Sequence, residues 1–165
     1  MPTRRSILML FLVMATSLGL CVSAPAVQAS DAKARLVLIV ATNSSLKEIS
    51  VRDIKRIYSG EYVSGADGQK ILPFNLAAAS PDRVAFDSKV LGFTPSQVSA
   101  YWIDRKIRGQ SGPPRSIESS AMMQQVVAKL KNSIGYVRAS NVTDKSVRIL
   151  RINGKSATDP GYPLD

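Results

Sequence analysis

Histidine is absent from this 165-residue chain, and cysteine occurs once, at Cys21. Without histidine there is no imidazole general base, no histidine-built metal site, no Ser-His-Asp triad and no Cys-His pair. A membrane-spanning run is also missing. The apolar stretch Ile7–Leu20 has 14 residues, against roughly 20 for a bilayer-crossing helix. Arg4 and Arg5 precede it, and Val27-Gln28-Ala29 follows as an A-x-A-like cleavage site, so the spacing predicts a secretory signal peptide over residues 1–29. Thr3-Arg4-Arg5-Ser6-Ile7-Leu8 loosely fits a twin-arginine signal, but the strongly apolar run favours ordinary secretion. Leu20 before Cys21 is too large for lipoprotein processing. Residues 30–165 are then a single domain, periplasmic or otherwise extracytoplasmic, with no stable membrane span. Because Cys21 falls in the signal, that domain has no disulfide, although the compartment would allow one.

Acidic residues are scarce as well, 12 Asp and Glu against 22 Lys and Arg. Removing Arg4 and Arg5 with the signal leaves 20 basic residues and a net charge near +8. Such a surface attracts anions of any size. Export argues against nucleic acid. So do the aromatics, because Tyr58, Tyr101 and Trp102 fall in helical patterns and read as core, not as base-stacking platforms.

Arg35–Ala41, RLVLIVA, is a continuous branched apolar run, the pattern of a strand buried on both faces in an α/β sheet. Ser50 and Asp53 then stand at N-cap and N3 of a short helix, an acidic variant of the capping box, with Ile49 and Ile54 as hydrophobic staple. Ile54, Ile57 and Tyr58 share one face, and Gly60 ends the helix. A glycine-rich loop over 61–69 leads to a strand over 70–76. Thr94-Pro95 opens a helix over 95–108 whose Val98, Tyr101, Trp102 and Arg105 share a side, Trp102 serving as core anchor. Loop 109–115, GQSGPPR, is flanked by Arg105, Lys106, Arg108 and Arg115, the densest positive cluster of the domain. A helix from Ser119 or Ser120 to Lys131 turns Met123, Val126, Val127 and Leu130 inward. Strands are predicted over 134–137 and 147–152, and Asn153-Gly154 is a tight turn. Strands alternating with helices argue for a three-layer α/β/α domain.

The stretch Asn75–Gly92, NLAAASPDRVAFDSKVLG, carries the functional reading. Ser80 is a good N-cap, Pro81 suits the first helical position and Gly92 is a natural stop. The Ala-Ala-Ala turn before Ser80 has no bulk to block approach. A strand that delivers a bare turn and a free helix start makes an anion seat, since the first amides point outward and the dipole favours negative charge. The same residues also describe a serine that merely caps a structural helix.

The order VRDIKRIYSGE, KILPFNLAAASPDRVAF, a helix carrying Tyr101-Trp102, then SIGYV resembles the phosphate-type substrate-binding proteins of ABC transporters, in particular short PBP-like members of that superfamily. The resemblance covers roughly residues 35–164. It implies one lobe of a type II periplasmic-binding fold, a phosphate ligand held at the helix start and an ABC transporter permease or a sensor as partner. The family's loop carries an arginine at a strand end, then Ser-Asp-Gly-Ser-Gly-Thr opening a helix. Here Ser80 matches the serine, Pro81 and Asp82 stand where glycine and threonine would be, and Asn75 stands near the family's arginine. The candidate ligand-binding residues are therefore Asn75, Ser80, Asp82 and Arg83, with Arg83 turned either toward the seat or outward. Hydrogen bonds to a charged group contribute about 1.5–3 kcal/mol each, and micromolar affinity needs about 8 kcal/mol. A single serine with two amides thus binds weakly. Tight binding needs a second wall, from a second copy in a homodimer or from another protein.

Three functions remain in order: an oxyanion-binding protein, with phosphate the first choice; a ligand-free interaction or sensor module that keeps one lobe; and an enzyme. The last lacks an assembled acid and base. Ser88-Lys89 are only sequence neighbours, and Asp82 and Asp87 are five residues apart on one helix. No cofactor and no metal is implied.

Overall fold

The computed structural model describes residues 34–165, so the predicted signal peptide and its cleavage site lie outside the described residues. Five strands form the main sheet in the order β4-β3-β5-β1-β6. They are β1 (Leu36–Ala41), β3 (Leu72–Leu76), β4 (Arg115–Ile117), β5 (Ser133–Arg138) and β6 (Val147–Ile149). β3 runs parallel to β4 and β5, whereas β1 is antiparallel to β5 and to β6. The unbroken burial of β1 therefore reports its place between two helical layers, not a parallel sheet. A two-stranded ribbon, β2 (Glu48–Ile49) with β7 (Arg151–Ile152), completes the strands.

Helices α1 (Val51–Tyr58), α2 (Pro81–Leu91), α3 (Pro95–Ile107) and α4 (Ser120–Lys129) begin at the predicted caps. Ser50 accepts from the Asp53 amide at 3.0 Å, and its hydroxyl donates to the Asp53 carboxylate at 2.8 Å. Thr94 and Gln97 form a reciprocal capping box. Gly92 ends α2 in the left-handed region at φ 73°, where a Cβ would be strained.

Neighbouring side chains on a strand point to opposite faces, and β5 shows what each face holds. Gly135 faces α4, where an added Cβ would lie 2.5 Å from the Met123 sulfur. Tyr136 faces the other layer, stacked on Phe86 of α2 at 3.8 Å, with Tyr58 of α1 edge-on to both rings. A helix on one side and two on the other make the three-layer α/β/α lobe.

Three expectations change. The run over 147–152 is split at Leu150. Its amide still bonds to Leu38, after which the chain leaves the main sheet to pair with β2. Strand β4 stands where only a loop end was predicted, because three residues, RSI, carry no readable alternation. Leu130 is 38% exposed instead of inward, since α4 ends at Lys129 and Leu130 is extended. Trp102 is buried as predicted, but it anchors the separate helix α3 and does not join the central apolar cluster. Among the described residues no helix is long and apolar enough to cross a membrane.

Candidate functional site

The exit of β3 and the start of α2 lie where the sequence places them. Ser80 is the N-cap, with its oxygen 3.2 Å from the Arg83 amide, and Pro81 follows at the first helical position. The Ser80 amide closes a turn onto the Ala77 carbonyl at 2.9 Å, and Ala78 and Ala79 are exposed. The amides of Ala78, Ala79 and Asp82 have no hydrogen-bond partner among the described residues. The Ser80 hydroxyl, which accepts from Arg83, keeps its own proton to donate. These four donors on an open alanine turn are what the lobe offers to an anion.

The other predicted residues are placed differently. Asn75 and Arg83 are 2% and 5% exposed. Arg83 turns neither toward the seat nor outward. It turns inward, where Nε donates to Asp87 at 2.6 Å and Nη1 donates to the Leu76 carbonyl at 3.2 Å. Asn75 fits this arrangement with its amide oxygen toward the guanidinium, accepting from Nη1 and Nη2 at 3.1 and 3.2 Å. The opposite orientation would set donors against donors. An arginine at this position four residues before an aspartate on one helix forms an internal pair more cheaply than it reaches back over its own N-terminus. Burial raises the Asp87 carboxyl above its usual range, and the Arg83 charge opposes that rise. Nearby, Tyr136 accepts from the Leu76 amide at 3.3 Å, and burial raises both Tyr58 and Tyr136 above the ordinary phenol range. This buried polar group fixes the exit of β3 from beneath.

Asp82 lies at the seat, but as an occupant. One of its oxygens is 2.7 Å from both Nε and Nη2 of Arg138, at the end of β5. Arg138 also donates to the Ala34 carbonyl at 2.8 Å, and its side chain remains 38% exposed. Sequence reading missed Arg138, although the string SIGYV stops one residue short of it. A cation at a strand end, two residues after an inward tyrosine, was the available signal.

The cluster around loop 109–115 does not reach the seat. Arg105 donates to the Gly60 carbonyl and to Ser111 and lies over the Tyr101 and Trp102 rings, and Arg108 pairs with Asp104. Arg115 sits opposite Phe74, toward the entry of β3, whereas Ser80 follows its exit.

No protein-family model matches the chain, and no curated protein matches it. Solved structures do. An ABC-type phosphate transport receptor from Vibrio cholerae is similar at 17% identity and TM-score 0.58, over 74% of this chain and 48% of that one. A phosphate ABC transporter substrate-binding protein with bound phosphate from Clostridium perfringens is similar at 23% identity and TM-score 0.59, over 74% of this chain and 46% of that one. PstS from Borrelia burgdorferi is similar at 18% identity and TM-score 0.56, over 74% and 48%. The chain thus spans about half the length of the structures it matches. Sheet order, layers and these likenesses together show that the chain carries the PBP-like fold of the phosphate-type substrate-binding proteins, as a single α/β lobe.

Proposed function

We propose that this chain is an extracytoplasmic binding lobe, not an enzyme, that takes a small oxyanion, phosphate in the first instance, at the start of α2. One observation carries the reading. In a fold shared with phosphate receptors, an exposed alanine turn presents the Ser80 hydroxyl and the amides of Ala78, Ala79 and Asp82, unpartnered among the described residues, beside Arg138. The basic surface of the domain supports it by drawing anions in. Asn75 and Arg83 act from below, holding the strand exit, and do not touch the guest. Binding by the lobe alone is weak. With the Arg83 charge spent on Asp87 and the Arg138 charge held by Asp82, the donors are neutral, and a gross gain of several kcal/mol is reduced by the cost of association. A partner that closes over the turn, such as a permease, a sensor or a second copy, would supply the missing wall.

One feature favours the ligand-free module as second reading: Asp82 already places a carboxylate on the helix start and holds Arg138. Isothermal titration with phosphate and with sulfate separates the two. Saturable millimolar phosphate binding that is lost in Ser80→Ala supports the oxyanion lobe. No heat at tens of millimolar, with Ser80→Ala unchanged, discards it in favour of the module.

A further inference from the structure

At the entry end of β3 an open groove of about 390 Å³ lies between the last turn of α1 and the loop 111–114. Its floor is apolar, made of Ile57, Leu72, Phe74 and Leu130, and Pro113 and Pro114 form one wall. Leu72 and Leu130 are 36% and 38% exposed, so the floor is open to water. Two cations stand at the rim, Lys70 and Arg115. Neither is in an ion pair among the described residues. The carboxylate at the rim, Glu61, is taken by Arg56 at 2.8 Å. The volume falls within the roughly 300–1,000 Å³ of small-molecule sites, and the lining is of their kind, an apolar bed with a few polar groups.

We propose that this groove is a second binding site, for a small amphiphilic monoanion: an aliphatic or aromatic body on the leucine floor and a carboxylate against Lys70 and Arg115. The two halves of the site each disfavour a simpler guest. A free oxyanion would satisfy the cations and leave the leucines in water. An uncharged apolar molecule would cover the leucines but gain nothing from the two exposed cations, of which Lys70 otherwise meets only the Tyr62 ring at 5.9 Å. A second copy of this strongly basic chain would bring like charge to the rim. An amphiphilic anion meets both demands, because burial of its body removes apolar surface from water while its head keeps the charged rim paired. The site stands apart from the start of α2 and does not rest on the oxyanion reading.

Titration of the purified protein with octanoate and with octanol, together with its mass in solution, tests this. Octanoate binds saturably below millimolar concentration and octanol binds at least tenfold more weakly. The double variant Lys70→Gln/Arg115→Gln weakens octanoate about tenfold and leaves octanol unchanged. Leu130→Glu, at a half-exposed position that does not threaten folding, removes both. Ser80→Ala leaves octanoate binding intact. The proposal is overturned if octanoate does not saturate by several millimolar, if octanol binds as tightly as octanoate, if Leu130→Glu changes nothing, or if the chain is a dimer that binds octanoate only as it dissociates.

Discussion

Asp82 can be removed without dismantling the helix it opens, and its removal asks whether the start of α2 is held shut by the chain's own carboxylate. The side chain is 16% exposed and its partner Arg138 is 38% exposed, so water reaches the pair only in part. An oxyanion resting on the amides around Asp82 would be repelled by that carboxylate. Unit charges at about 5 Å repel by about 3 kcal/mol at an effective dielectric near 20, and by under about 1 kcal/mol in water. The setting is intermediate, so Asp82→Asn relieves about 1–2 kcal/mol, or roughly tenfold in Kd. Arg138, freed from Asp82, adds a charge-assisted bond of about 1.5–3 kcal/mol where its reach allows. The predicted gain in phosphate affinity is therefore about tenfold from the relieved repulsion alone and about 100-fold or more with the Arg138 bond, read by isothermal titration at low salt and shrinking as salt is added. The cost to folding is small. A partly exposed pair contributes about 1 kcal/mol or less, and an acid in the first turn contributes about 0.3–1 kcal/mol. Unchanged or weaker phosphate binding in a folded Asp82→Asn protein would refute this reasoning.

Asp87→Asn is expected to destabilise by about 3–5 kcal/mol in urea unfolding, because it leaves the Arg83 guanidinium buried without a counter-charge. Arg83→Met combined with Asp87→Leu should cost clearly less, and equal losses would count against the buried pair. Gly135→Ala forces a methyl to within 2.5 Å of the Met123 sulfur and is expected to lower stability by about 1–3 kcal/mol, visible in the denaturation midpoint. Alkali should destabilise the protein progressively above about pH 10. Burial pushes the Tyr162 phenol up to about 12, and it raises Tyr58 and Tyr136 too. The unfolded chain therefore loses these protons first, so stability is complete below about pH 10 and falls between 10 and 12. Thermal melting followed with tyrosinate absorbance checks this, and a flat melting temperature from pH 9 to 11.5 would contradict it.

Much of the fold was legible because its signals are local. Ser50, Ser80, Thr94 and Ser119 each cap the helix that follows, and the branched run of β1 reports its burial at once. What was not legible depends on pairing between distant segments. The direction of β1, the split at Leu150 and the three-residue β4 are all set by neighbours far along the chain. The candidate site divides in the same way. Ser80 and the bare turn follow from sequence alone. The fate of Arg83 does not, because the choice between surface and interior rests on Asp87 together with the carbonyl of Leu76 and the amide of Asn75, which only the β3–α2 crossing brings together. Arg138 lies 56 residues from Asp82 and meets it only through the sheet.

The amide spectrum of ¹⁵N-labelled protein during phosphate addition tests the seat most directly. Ala78, Ala79 and Asp82 should shift together along one saturable curve, with the groove at the entry of β3 undisturbed. If those three amides stay fixed up to tens of millimolar phosphate, or if they move only as part of a chain-wide salt effect that sulfate and chloride reproduce equally, no oxyanion is held at the start of α2.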